Sequence, residues 1–292
     1  MAQLSFVTPL AYDWKYAFSA IRSYYAIADE IILGIDRDRI SWSGKPFVFD
    51  DQALAAFIAD VDQAGKIRVI EGNYHGAHWP MANDTGERRE LGLACRPGNW
   101  VVQIDSDEIL LNAGVFKTFM DGLGQDCCVR GLWLPVYKIV GNKALVVAGR
   151  PEMTSVATRS PQRYKLSRDT DQAQVDSPLH MLHLTWGRTE EELRQKLTNW
   201  SHSRDFDSAA AVNLWRSVTL ENYQQLRNLH PMDGPNWPYL EVMDWDAAAV
   251  GGGDPVSHIA IANTARAVQG KPVTVLGKTG TGAILVSFGT PR

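Results

Sequence analysis

Asp105 and Asp107 stand one residue apart at the end of a nearly unbroken apolar run, in the segment WVVQIDSDEIL. Two carboxylates held so close repel each other unless a cation neutralises them. Hard divalent ions such as Mg²⁺ and Mn²⁺ take carboxylate oxygens together with phosphate oxygens of a substrate. The pair is therefore a device for gripping a diphosphate through a metal. The tripeptide alone reads equally as a solvated acidic turn, and its position decides between the two. A buried strand would deliver both side chains to its carboxyl end, and in open α/β sheets ligands bind along that edge. Asp36 ends another apolar run, EIILGID, which aims it at the same edge; its plain alternative is a turn-capping acid. Arg88 and Arg89 precede the pair, and an arginine facing a diphosphate offers fixed bidentate donors. His183 sits amid Leu182, Leu184 and Trp186, where a lone histidine is more often a satisfied core residue than a ligand. Glu152 and Asp176 lie between the acidic pair and His183, and either would serve as a base for an acceptor hydroxyl.

The elements that must position these residues follow from hydrophobic periodicity. Short apolar strands are predicted at 4–7, 30–35, 67–71 and 100–104, alternating with helices at 12–28, 51–64 and 84–95. Such alternation predicts an α/β layer fold with a mostly parallel sheet. After Gly122 the pattern changes to β segments at 129–140, 144–148 and 154–158, then a short strand at 181–185. Thr189 with Glu192 has capping-box spacing and predicts a helix from 189 to about 203. A second helix is predicted over 209–229, Gly251-Gly252-Gly253 reads as a linker, and short β-like runs follow at 273–276 and 283–288.

Composition narrows the class. Of 292 residues 45% are hydrophobic and 21% charged, which excludes a disordered chain. A net charge of −4 argues against a protein whose whole surface binds nucleic acid. Three cysteines, two of them adjacent, do not make a disulfide framework and point to a reducing, cytoplasmic setting. No apolar run reaches about 18 residues, so no membrane span is expected.

Taken together, four segments resemble the GT-A fold glycosyltransferases, especially the family 2-like members. FVTPL looks like that family's first strand, whose end contacts the nucleoside, and places Thr8 and Pro9 there. ADEIILGIDRD is similar to its second strand, with Asp36 at the position of the acid near the base or ribose. ERRELGLACRPGNWVVQIDSDE resembles its helix with an Ala-Arg-Asn signature followed by the Asp-x-Asp strand; Arg89 falls at the matching spacing, with Arg88 as rival and Glu90 in place of Asn. HMLHLTWGRTEEELRQKLTNWSHS is similar to a late strand-to-helix segment whose histidine often completes the metal site, which favours His183 over His180.

The resemblance implies a GT-A-like (Rossmann-like) mostly parallel mixed sheet flanked by helices over residues 1–205, with a helical and irregular C-terminal extension over 206–292. It implies transfer of a hexose or pentose from a nucleoside diphosphate sugar. Mn²⁺ or Mg²⁺ would be held by Asp107, Asp105 and His183. The acceptor is open: a glycan, a small molecule or a modified nucleic acid. Two other enzymes use related features. A haloacid-dehalogenase-like phosphohydrolase also ends an apolar strand with Asp-x-Asp, the first Asp being its nucleophile. A sugar transferase acting on nucleic-acid bases would need a basic groove, for which Arg150, Arg159, Arg163, Lys165 and Arg168 are candidates. A non-catalytic binding protein would have no reason to keep both aspartates. Leu276-Gly277-Lys278-Thr279-Gly280 is not a phosphate loop, because Pro272 stands where its first glycine belongs.

Overall fold

The computed structural model describes residues 1–245 and, beyond them, the backbone of two paired strands. The chain opens with β1 (Leu4–Leu10), α1 (Ala17–Tyr24), β2 (Glu30–Asp36), α2 (Asp51–Val61), β3 (Ile67–Gly72), α3 (Pro80–Leu93) and β4 (Trp100–Gln103). β1 and β2 are buried at every position, as expected of strands covered on both faces. β1 pairs in parallel with β2 and with β4, and β2 pairs in parallel with β3. Next come β5 (Glu108–Leu110), α4 (Ala113–Asp121), β6 (Cys128–Val140), β7 (Lys143–Ala148), β8 (Glu152–Thr158) and β9 (Gln174–His183). β8 joins β4 antiparallel and carries the sheet on through β6 to β7. β9 runs parallel to β6 and pairs with β5. After α5 (Glu190–Asn199) and α6 (Ser208–Ser217), β10 (Tyr239–Asp244) closes the far edge against β7. The sheet order is β10-β7-β6-β8-β4-β1-β2-β3. This is the expected α/β class: a mixed sheet, parallel through its first half, flanked by helices. β11 (Val273–Lys278) and β12 (Ile284–Phe288) form a separate antiparallel pair, while the expected Gly251–253 linker lies outside the described residues.

Of four apolar clusters among the described residues, the two largest pack helices onto the sheet. In one, Phe6 of β1 stacks on Tyr24 of α1 with ring centroids 4.3 Å apart, and Phe18 stacks on Phe57 of α2 at 4.1 Å. The other packs Leu193, Leu197, Val212 and Trp215 of α5 and α6 onto Tyr137, Leu145 and Leu240 of the sheet. The second core therefore takes in residues of the expected extension. Residues 208–245 supply a helix, a strand of the same sheet and part of this core.

Several boundaries differ from the sequence reading for identifiable reasons. The helix expected at 12–28 is regular only over Ala17–Tyr24, flanked by 3₁₀ turns. The helix expected from 84 starts at Pro80, whose missing N–H costs nothing in a first turn. The 209–229 helix ends at Ser217, where the Lys138 ammonium takes the carbonyls of Trp215, Arg216 and Val218. The 181–185 strand is the end of the longer β9. The capping box of α5 forms as its spacing predicts. No described helix is long and apolar enough to cross a membrane. All three cysteines are buried free thiols.

Candidate active site

Past β4 the chain makes one more ladder bond, from the Ile104 N–H to the Val7 carbonyl at 3.0 Å, then turns. Glu108 pins that turn by accepting the Asp105 N–H at 2.9 Å, while its own N–H reaches the Asp105 carbonyl. The Glu108 carboxylate is itself held by Arg168 and by the Trp133 indole N–H. The turn sends Asp105 and Asp107 to different partners. Asp105 meets Arg88 of α3 at 2.7 Å. Asp107 Oδ2 takes the Arg188 guanidinium, the Lys196 ammonium of α5 at 2.6 Å, and faces His183 Nε2 at 3.5 Å. Asp13 joins them, accepting from Arg188 and from the Ser106 hydroxyl, each at 3.0 Å.

Electrostatics follow from these contacts. Burial alone would raise the Asp107 carboxyl, yet Lys196, His183 and Arg188 hold it well below the usual carboxylate range. Asp105 is also depressed: Arg88 and Arg168 outweigh its burial. Arg88 pairs in addition with Asp84 one helical turn earlier, so the buried side of α3 carries charge beside the apolar Leu91 that packs on Val7, Ile32 and Val101.

The pair opens on a cleft of about 240 Å³. Pro9, Ala11, Tyr12 and Asp13 form one wall beside Trp42. Trp133, Glu152 and His183 line it as well. Trp200, His202, His230, Met232 and Trp237 close it from the C-terminal segments. Glu152 receives the Trp237 indole N–H at 3.2 Å, and burial raises its carboxyl above the ordinary value.

The structure gathers Pro9, Arg88, Asp105, Asp107, Glu152 and His183 from the sequence-derived candidates around this cleft. It sets the others elsewhere. Thr8 is buried against the Tyr24 hydroxyl at 2.9 Å. Asp36 spends its carboxylate on the N–H groups of Asp38, Ile40 and Tyr74 and on His75, the turn-capping alternative. Arg89 points to the Tyr164 carbonyl, because adjacent helix positions face about 100° apart and Arg88 has the inward one. Asp176 is an exposed partner of Arg130 on β6. His180 is not a lining residue; its backbone N–H goes to Asn112. Sequence reasoning missed Asp13, Arg188 and Lys196. Arg188 and Lys196 both stand in the segment HMLHLTWGRTEEELRQKLTNWSHS, and the spacing of Lys196 one helical turn after Glu192 and before Trp200 is the signal that could have found it.

Donor chemistry tests the implied metal. His183 Nε2 and Asp107 Oδ2, a nitrogen and an oxygen 3.5 Å apart, approach the spacing of about 3 Å that neighbouring ligands of an octahedral ion take. The carboxylate oxygen is a donor that Mn²⁺ and Mg²⁺ would both accept, and the imidazole nitrogen would favour Mn²⁺ over Mg²⁺; Arg188 and Lys196 hold the same oxygen. Asp105 is turned to Arg88 and does not complete a three-ligand set. Among the described residues the only such set, Asp36, Asp38 and His75, has ligand atoms within 4.8 Å of one another, but the Asp36 oxygens are taken by backbone donors.

No family model matches the chain, and comparison with curated proteins finds no relative. Among solved structures, a 4-diphosphocytidyl-2C-methyl-D-erythritol synthase is similar at 10% identity, over 73% of this chain and 85% of that one, with a TM-score of 0.29. A likeness that low transfers no chemistry, so the fold assignment stands on the sheet itself.

Proposed function

We propose that the cleft takes a nucleoside diphosphate sugar and transfers its hexose or pentose to an acceptor hydroxyl, with Mn²⁺ or Mg²⁺ accompanying the donor. One observation carries this reading: paired aspartates at the carboxyl edge of the parallel strands, opening on a cleft walled by tryptophans. Charge supports a cation arriving with the donor. Four carboxylates, Asp13, Asp84, Asp105 and Asp107, share three full cations, Arg88, Arg188 and Lys196. A diphosphate adds negative charge that this set does not balance, and an unbalanced buried charge is costly. Asp107 and His183 would hold the ion, which when bound neutralises charge on the departing diphosphate.

The remaining work falls to side chains. Arg88 lines the cleft, and its buried Nη1 makes no hydrogen bond among the described residues, which leaves it a donor for a phosphate oxygen that enters. Trp133 and Trp200, both partly exposed, offer apolar surface to sugar rings. Glu152 removes the acceptor proton. It makes no ion pair among the described residues, and its raised pKa makes it the stronger base. A base-assisted single displacement inverts the anomeric centre. The hydrolase alternative would need Asp105 free as nucleophile, whereas Arg88 holds it. The nucleic-acid alternative would need several free basic residues. Arg163 and Lys165 pair with Asp171, Arg168 is buried on Glu108, and Arg159 lies over the Trp100 ring, which leaves Arg150 of the five candidates.

Thermal unfolding with UDP, GDP and CDP, each with and without Mn²⁺, tests the reading. Ligand at a hundred times its Kd stabilises by about 2.7 kcal/mol, so the matching nucleotide should raise Tm only when metal is present. Asp107→Asn should remove that rise while keeping the unfolding transition. A metal-dependent rise that survives in Asp107→Asn would overturn the assignment.

A further inference from the structure

Asp107 Oδ2 is crowded. Arg188 and Lys196 both donate to it, and His183 stands opposite. The two cations differ in how they are held. Arg188 is fully buried and fixed at three points, donating from Nε to the Leu184 carbonyl at 3.1 Å and from Nη2 to Asp13 and Asp107. Lys196 makes one hydrogen bond, to Asp107, and its ammonium borders the cleft. Its helix is firmly seated, with a capping box at one end and Leu193 and Leu197 in the core. Lys196 is itself buried, with its ammonium 5.8 Å from the Trp200 ring centroid, so leaving Asp107 would be a movement of its flexible four-carbon stem alone.

A divalent cation drawn to Asp107 and His183 would meet both the fixed Arg188 guanidinium and the Lys196 ammonium on the same oxygen, and of the two only Lys196 is held by a single hydrogen bond. We infer that Lys196 is a tethered competitor of the metal at Asp107 and a ligand of the donor diphosphate, so that metal and diphosphate bind only weakly alone and strongly together. This inference rests on the transferase reading above. Without diphosphate, a cation must displace Lys196 and leave a buried ammonium without its partner, which is costly. With diphosphate present, the displaced ammonium has phosphate oxygens within the same cleft to pair with. The coupling is reciprocal: diphosphate strengthens metal binding by the factor that metal strengthens diphosphate binding.

Isothermal titration calorimetry on the full chain measures this without any activity. Mn²⁺ is titrated into wild type alone and in the presence of UDP, GDP or CDP, with metal–nucleotide complexation in solution accounted for. Nucleotide should tighten Mn²⁺ binding about tenfold or more, within the usual range of coupling. In Lys196→Met, Mn²⁺ alone should bind about tenfold tighter than to wild type, nucleotide alone should bind no tighter, and the coupling factor should fall towards one. Lys196→Arg, which keeps the charge, should retain weak binding of the metal alone. Equal Mn²⁺ affinity of wild type with and without nucleotide overturns the inference even if Lys196→Met fails to fold. So does unchanged Mn²⁺ affinity in a folded Lys196→Met. Either result leaves the transferase reading standing if both ligands bind. A wild type that binds neither Mn²⁺ nor any of the three nucleotides sinks that reading itself.

Discussion

At the scale of single residues, the site is built by giving similar carboxylates different partners. Asp107 is spent on cations, Glu108 on Arg168 and Trp133, and Asp36 on backbone donors, which leaves Glu152 without a cationic partner among the described residues. Burial raises its carboxyl, so the acid limb of kcat/KM should lie above the value of about 4.3 usual for glutamate. The sign is fixed by the role. A base acts when deprotonated, so the rate falls as pH drops through the raised value and is level above it. Glu152→Gln should lower kcat by about 10²- to 10⁴-fold, abolish that limb and leave nucleotide-induced thermal shifts unchanged. A variant that keeps the wild-type limb would show that another group titrates. The acidic pair was legible in the sequence because an apolar strand announces where its end must lie. Its partners were not. Arg188 and Lys196 come from far along the chain, and only the pairing of β9 with β5, followed by the seating of α5, brings them to Asp107.

At the scale of elements, α3 is the instructive case. The sequence reading starts it at Asp84, four residues late, and in the structure Asn83, Asp84, Glu87 and Arg88 are buried alongside Met81 and Leu91. A helix that turns charge inward reads in sequence as one that turns it outward. β1, β2 and β4 were found within a few residues because both of their faces are apolar. β5, α4 and β10 were missed: β5 is three residues long, and Tyr239–Asp244 follows a Pro/Trp-rich loop with no clear alternation. The inward face of α3 has a measurable cost. Glu87, buried and accepting the Trp42 indole N–H, is pushed from 4.5 to about 8 by desolvation. Between those two values the folded chain keeps a proton that the unfolded chain has lost. The stabilisation is whole below 4.5 and gone above about 8, declining at up to about 1.4 kcal/mol per pH unit between them. Glu87→Gln cannot ionise, so its Tm relative to wild type should climb from pH 5 to pH 8 and then level off. Parallel Tm curves across that window would mean that Glu87 titrates normally.

At the scale of the molecule, the family resemblance implies a catalytic unit over 1–205 with an appended tail, because the four matching segments end there. Packing argues for a larger unit. β10 extends the same sheet through β7, and the Trp215 indole N–H bonds the carbonyls of Tyr137 and Trp186. His230, Met232 and Trp237 close the cleft over Glu152 and His183. Val212, Trp215, Val218, Leu229, Trp237 and Leu240 are all buried in the second core. At about 1.5–3 kcal/mol for each large apolar side chain, their burial is comparable to the whole stability of a domain, about 5–15 kcal/mol. A chain stopped after Asp205 should therefore lose its cooperative unfolding transition, read by near-UV circular dichroism in a urea titration. In the full chain, Trp215→Ala alone should cost about 3–5 kcal/mol. The two experiments discriminate because the cleft and the second core share the loop that carries Trp237. If residues 206–245 were an independent appendage, the shortened chain would unfold cooperatively at the wild-type urea midpoint and still bind nucleotide with Mn²⁺. If they complete the sheet, neither property survives the cut.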